Sequence, residues 1–194
     1  MNPPIRAFFA IQLPELIKDN IKTNILELKQ KFQNSNLKWV DSNNLHITLK
    51  FLGELDFHLV EEFANLADKR IKRTKPFELV VKGMGVFPQT KKARVIWIGC
   101  ENIGPVMEIS KMLEEIGTSL GLSSESREFS AHITIARIKF PLEPQALLKL
   151  ENHINVNRNR LFGSWKVGEF SLYKSDLKPN GPIYSSLRNF NLLP

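Results

Sequence analysis

Hydrophobic positions along the chain follow two rhythms, one of strands and one of helices. Arg6 to Ile11 is a short aromatic and aliphatic run closed by Pro14. An apolar run bounded by a breaker predicts a buried strand, and the proline predicts the first turn of a following helix. Ile17, Ile21, Ile25 and Leu28 then recur at helical spacing, so one stripe of that helix faces a core. Leu37 to Val40 and Leu45 to Leu52 predict strands, the latter ended by Gly53, and Leu59, Val60, Phe63, Leu66 and Ala67 mark a second amphipathic helix. Phe77 to Lys82 predicts another strand, followed by a Gly/Pro-punctuated loop from Gly83 to Lys92. The order is β-α-β-β-α-β.

The same order then begins again. Arg94 to Ile98 matches Arg6 to Ala10, and the helix after it carries Val106, Ile109, Met112, Leu113, Ile116 and Leu120. A Gly/Ser-rich loop, Gly121 to Ser126, leads to a strand over Ala131 to Ile138, a short helix near Pro144 to Asn152, and a strand over Gly163 to Tyr173 in which Trp165 aligns with Phe77. A hairpin-like segment, Lys174 to Phe190, turns at Pro179 to Pro182. A weak internal repeat of half the chain is the mark of two similar lobes about a pseudo-twofold axis. The competing reading is that such patterns belong to any α+β chain.

Composition narrows the class. The 194 residues are 42% hydrophobic and 24% charged, which suits one folded unit and excludes disordered, collagen-like and coiled-coil chains. A net charge of +7 with a pI near 9.5 favours a polyanionic partner such as nucleic acid or a phosphorylated metabolite. The single cysteine, Cys100, supports neither an internal disulfide nor a paired-thiol zinc site, and fits a reducing cytoplasm. No apolar run approaches the roughly 18 residues of a membrane-spanning helix, and the polar start of the chain is not a secretory signal, so the mature protein is expected to begin at or near Met1.

The candidate chemistry lies in His46-Ile-Thr-Leu49 and its counterpart His132-Ile-Thr-Ile135. In a strand, residues i and i+2 share a face, so each tetrapeptide turns His and Thr one way and two aliphatic anchors the other. The twofold operation brings two imidazoles and two hydroxyls to one cleft. Imidazole titrates near neutrality, so a facing pair supplies an acid and a base at once, and the hydroxyls donate to an anion between them. That set suits in-line displacement at phosphorus without a metal or other cofactor. One His-x-Thr strand supplies a single ligand with no thiol or carboxylate beside it, which argues against zinc, and Cys100 lacks a motif for nucleophilic chemistry. His58 and His153 have no such context and are read as surface residues.

Together with Arg6-Ala-Phe-Phe-Ala-Ile, Leu45-His-Ile-Thr-Leu-Lys-Phe-Leu-Gly53, Gly85-Val-Phe-Pro88 and His132-Ile-Thr-Ile-Ala-Arg137, these motifs resemble the 2H phosphoesterases, and among them the RNA 2′,3′-cyclic phosphodiesterases, historically called 2′-5′ RNA ligases. The resemblance spans nearly the whole chain. It implies a bilobal α+β fold over residues 1–194, with repeats at roughly 6–82 and 94–172, antiparallel sheets flanking a basic cleft, and helices outside. It also implies metal-independent opening of a 2′,3′-cyclic phosphate on RNA or a nucleotide to a 2′-phosphomonoester by a cytoplasmic monomer. By the resemblance His46 is the acid that protonates the departing O3′ and His132 the base that activates water. Thr48 and Thr134 hold phosphate oxygens, with Arg137 adding positive charge. Ala131 stands where members often carry proline. Strict alternation sets Arg137 on the face away from His132, so a bulge or strand end must turn it inward.

Lys50, Lys91, Lys92, Arg94, Arg127 and Lys139 are candidate cleft cations, and Phe9, Trp39, Phe129 and Tyr184 are candidate base platforms. A reading from another class remains, a non-catalytic RNA-end binder using the same cleft. Binding alone needs charge and stacking more than paired imidazoles, so intact histidines in both motifs weigh toward an enzyme.

Overall fold

The structure is a computed structural model that describes residues 3–32, 36–71, 74–179 and 181–193. Strand β1 (Ile5–Gln12) leads into helix α1 (Glu15–Lys31), with Pro14 as the N-cap in extended backbone. Then follow β2 (Leu37–Trp39), β3 (His46–Leu55), α2 (Phe57–Ile71), β4 (Phe77–Phe87) and β5 (Val95–Glu101). The rest of the chain forms α3 (Gly104–Ser119), β6 (His132–Ile138), α4 (Pro144–Val156), β7 (Leu161–Val167), β8 (Glu169–Lys178) and β9 (Gly181–Asn191).

The strands join in the order β7-β4-β5-β6-β3-β1-β8-β9, with β2 added on β6, and the described pairings are antiparallel. The curled sheet has two equivalent halves, β4-β5-β6 and β8-β1-β3. The expected α+β, two-lobed arrangement is present, with the sheets of the two lobes continuous through the Ile47–Ile133 pair. Among the described residues, helices α1 to α4 pack on one face, their buried side chains joining a single core. The apolar stripe of α1, Ile17, Ile21, Ile25 and Leu28, packs into the same core as Ile47, Leu49, Ile133 and Ile135. Ile47 and Ile133 are each 0% exposed, so truncating either to Ala is expected to cost about 2–5 kcal/mol.

Three sequence expectations need correction. The expected loop after Lys82 continues as strand, because β4 carries an irregularity between Val81 and Met84 that lets it resume pairing with β5 through Phe87. The single strand expected over Gly163 to Tyr173 is two, β7 and β8 at opposite ends of the sheet, parted at Gly168. Trp165 therefore pairs with Leu79 of β4 and is not the counterpart of Phe77. The repeat register also lies one residue away from the Arg6–Arg94 match, since Phe8 opposite Phe51 corresponds to Val95 opposite Arg137. The final hairpin is β8 and β9; of its expected turn, Asn180 lies outside the described residues.

His153 corrects a fourth expectation. It lies 2% exposed on α4 against α1, where its Nδ1 accepts from Lys31 Nζ at 2.9 Å, while His58 is exposed as expected. Helical spacing alone does not distinguish a polar residue on the solvent side from one buried between two helices.

Candidate active site

His46 and His132 open their strands at equivalent places, and the two tetrapeptides meet at the centre of the sheet. Ile47 opposite Ile133 fixes the register. Extending that antiparallel pairing by one residue either way sets His46 across from Thr134 and Thr48 across from His132. The four polar side chains thus form a compact square on the open face, held by aliphatic neighbours on the buried face.

Each imidazole is held by the same local device. His46 Nδ1 donates to the Asn44 carbonyl at 2.7 Å, and His132 Nδ1 donates to the Ser130 carbonyl at 2.7 Å. A carbonyl only accepts, so the Nδ1 proton is fixed in both rings and Nε2 is the free nitrogen of the neutral form. Thr48 Oγ1 lies 3.1 Å from His46 Nε2 and donates to it in that state. Burial is the largest cause depressing both imidazoles. His46 is brought down to about 4, with its Asn44 contact opposing the shift and the charges of His132 and Arg137 adding to it. His132 is lowered by burial and by Arg137, against the Ser130 contact.

Arg137 reaches the cleft through a bulge. Between β5 and β6 the register slips so that Ile96 faces Ala136 and Trp97 faces Thr134, leaving Ile135 as the extra residue. Ile135 and Ala136 are consecutively buried, and Arg137 emerges on the side of His132. The same slip occurs at Leu49, with Phe9 facing Lys50 and Ala10 facing Thr48. Both strands consequently run half-buried, buried, half-buried, buried, buried, exposed, buried from their histidine. Phe51 is the residue this repeat sets in place of Arg137.

His46, Thr48, His132, Thr134 and Arg137 all line one cavity of about 2780 Å³. Of the other residues singled out by sequence, Lys50, Arg94, Arg127, Trp39, Phe129 and Tyr184 also line it. Lys50 is turned toward α3, where Nζ meets Glu114 at 2.5 Å, and is only 8% exposed. Lys91, Lys92 and Lys139 are exposed outside this lining, and Phe9 is 0% exposed in the core, which removes it as a base platform. Cys100 is unsuited to nucleophilic chemistry, because burial pushes its thiol up to about 12.

Of the aromatic wall of the first lobe, sequence reading named only Tyr184 and missed Phe8, Tyr173 and Phe51. Phe8 is its hub, with ring centroids 5.0 Å from His46, 4.9 Å from Tyr184, 5.6 Å from Tyr173 and 5.9 Å from Phe51. In the other lobe Phe87 stands edge-on to His132 at 5.0 Å and beside Trp97 at 5.1 Å. Trp97 lies flat over Gly85, where any Cβ would collide with its ring. The signal for Phe51 was available: aligning the two motif strands at their histidines sets it against Arg137.

The family model for LigT-like phosphoesterases matches the chain twice, over residues 11–97 and 99–184. The chain belongs to this family. It is 39% identical to the RNA 2′,3′-cyclic phosphodiesterase of Methanocaldococcus jannaschii over 96% of this chain and 100% of the relative, and 32% identical to that of Methanothermobacter thermautotrophicus over 97% and 99%. Among solved structures, E. coli LigT complexed with 3′-AMP superposes with a TM-score of 0.76 at 26% identity, covering 98% of this chain and 99% of that one. Each of the two matches to this phosphoesterase carries one His-x-Thr strand, β3 in the first and β6 in the second, while their last full strands, β4 and β8, cross to the opposite half of the sheet.

Proposed function

We propose that the protein is an RNA 2′,3′-cyclic phosphodiesterase, opening a 2′,3′-cyclic phosphate at the end of RNA or of a nucleotide to a 2′-phosphomonoester. The observation that carries this reading is the matched pair of imidazoles. Both are locked through Nδ1, and both turn Nε2 and a neighbouring Thr hydroxyl into one cation-lined cleft. The name shared by the archaeal relatives supports the substrate class.

In the proposed reaction, His132 Nε2 takes a proton from water and the water oxygen attacks phosphorus. The P–O3′ bond breaks, His46 Nε2 donates its proton to O3′, and the phosphate stays on O2′. Thr48 and Thr134 donate to the non-bridging oxygens, and Arg137 balances their charge. A positioned acid or base contributes roughly 10²–10⁴ in rate, and one preorganised donor to developing charge contributes about 10²–10³.

With a free-protein value of about 4, His46 is neutral at neutral pH. An entering phosphodiester anion offsets the repulsion from Arg137 and His132 and raises the affinity of Nε2 for a proton, so His46 becomes the acid in the complex. A 5′-hydroxyl in place of water gives a 2′-5′ phosphodiester by the same path, which is the proposed ligase activity. With one thiol and a whole cleft from one chain, the protein is read as a cytoplasmic monomer.

The test is incubation with a nucleoside 2′,3′-cyclic phosphate in excess EDTA, with products resolved by chromatography. Conversion to the 2′-phosphate is expected. A 3′-phosphate product would reverse the bond assignment, restoration of activity only by a divalent ion would favour metal catalysis, and absence of turnover would favour an RNA-end binder.

A further inference from the structure

The two motif strands differ behind the cleft as well as within it. At the fourth residue past each histidine the bulge buries a side chain, Lys50 in the first lobe and Ala136 in the second. Lys50 is 8% exposed, and taking a charge out of water adds little to stability even when the charge is paired. The fold nevertheless makes room for it. Helix α3 turns Ser110, Glu114 and Gly117, spaced i, i+4 and i+7, toward the β3 bulge. Ser110 Oγ donates to the Leu49 carbonyl at 2.8 Å, Lys50 Nζ donates to Glu114 Oε2 at 2.5 Å, and a Cβ on Gly117 would stand 2.8 Å from Lys50 Cε. The second oxygen of Glu114 reaches further. Oε1 accepts from the Glu125 backbone amide at 2.8 Å, in the segment 120–131 that joins α3 to β6. Arg127, Glu128, Phe129 and Ser130 of that segment line the cleft. Among the described residues, 123–131 form no helix or strand and hydrogen-bond to the body at two points, Glu125 N on Glu114 and the Ser130 carbonyl on His132 Nδ1. Burial opposes ionisation of Glu114, but its bonds from Lys50 and Glu125 outweigh burial and hold the carboxyl below its usual range.

We propose that Lys50 and Glu114 are a positioning pair: the carboxylate ties the 120–131 segment to strand β3, and so sets Arg127 in the cleft and the Ser130 carbonyl that orients the His132 ring. The pair thereby couples the two motif strands, since Lys50 lies on the strand of His46 and the segment ends at His132. The inference rests on the catalytic reading of the two histidines. An apolar pair of similar volume would fill the same space without fixing the segment, so its substitution should lower turnover and leave stability intact.

The experiment compares wild type with two double variants, Lys50→Met with Glu114→Leu and Lys50→Met with Glu114→Gln. Each is assayed on adenosine 2′,3′-cyclic phosphate, melted, and digested briefly with trypsin well below its melt, with cleavage after Arg127 followed by mass spectrometry. Replacing a buried ion pair by apolar side chains is neutral or stabilising, so the leucine variant should melt at or above wild type. Its kcat should fall roughly 10- to 100-fold, the scale of a misplaced catalytic group, with a smaller change in KM and faster cleavage after Arg127. In the glutamine variant the amide oxygen still accepts from Glu125, so most of the lost turnover and trypsin resistance should return. Wild-type kcat in the leucine variant, a melt below wild type, or no recovery in the glutamine variant would overturn the pair. If wild type itself turns over no cyclic phosphate, the catalytic reading fails and trypsin decides alone. Faster cleavage after Arg127 in the leucine variant, slowed again in the glutamine variant, would then support the tie; equal cleavage would overturn it.

Discussion

The first and second lobes share a backbone plan down to the bulge, yet they surround their histidines differently. In the first lobe His46 is packed by Phe8 and Tyr184. In the second, His132 has Phe87 on its edge and Arg137 near enough to depress its titration. Gln12 stands beside His46 where Gly99 stands beside His132, and Ala10 beside Thr48 where Trp97 stands beside Thr134. Duplicated backbone thus supplies the paired groups, while unlike neighbours surround them, and it is on this difference that we propose distinct roles for the two.

The largest effect should come from breaking either half. His46→Ala and His132→Ala are each expected to lower turnover by roughly 10²–10⁴, with far-UV dichroism unchanged because both rings face the cleft. Near-wild-type turnover in either variant would remove that residue from the mechanism. Next in size is the charge unique to the second lobe. Arg137→Ala should lower kcat/KM by about 10- to 100-fold, and because Arg137 depresses both imidazoles its loss should move the acidic limb of the pH profile upward. An unmoved profile would mean that Arg137 acts at a distance from the pair.

A third comparison uses the Gln12 and Gly99 positions. A Cβ on Gly99 would approach the Lys82 carbonyl oxygen at 2.8 Å and the Trp97 ring at 3.3 Å, so Gly99→Ala should cost about 1–3 kcal/mol in urea unfolding. Gln12→Ala, at the equivalent place, should stay within about 0.5 kcal/mol. Equal costs would count against the register that makes these positions equivalent.

The smallest effect is on stability in mild acid. His46 falls from 6.5 to about 4 in the folded state, so the unfolded chain binds more protons between those values. Its contribution is fully present above 6.5 and is lost as pH falls through about 4. Thermal melts of wild type at pH 7 and pH 5 should therefore differ more than those of His46→Asn. An equal difference would mean that His46 is not held neutral by burial.

Much of this was legible in the chain. The two motif strands could be read because a period of two leaves His and Thr on one face and the aliphatic pairs Ile47 with Leu49 and Ile133 with Ile135 on the other, which holds before any neighbour is known. The stripe of α1 was legible for the same reason. The end of β4 was not, since Gly83 and Gly85 read as loop residues; one takes a positive φ of 77° beside a strand irregularity, and the other makes room for Trp97. His153 was missed because burial between α1 and α4 depends on how two helices dock.

By itself, then, the sequence determined which residues we propose for the chemistry, since the repeat of His-x-Thr in two strands is a local pattern with a local geometric consequence. It also determined the β-α-β order of each half and the excess of cations. Only the tertiary structure decided how the halves meet, because the Ile47–Ile133 pairing joins residues far apart in the chain and no local preference selects it. The same holds for Arg137 and Phe51. A bulge is defined by the register of the partner strand, so their arrival on the cleft face depended on β5 and β1 lying alongside.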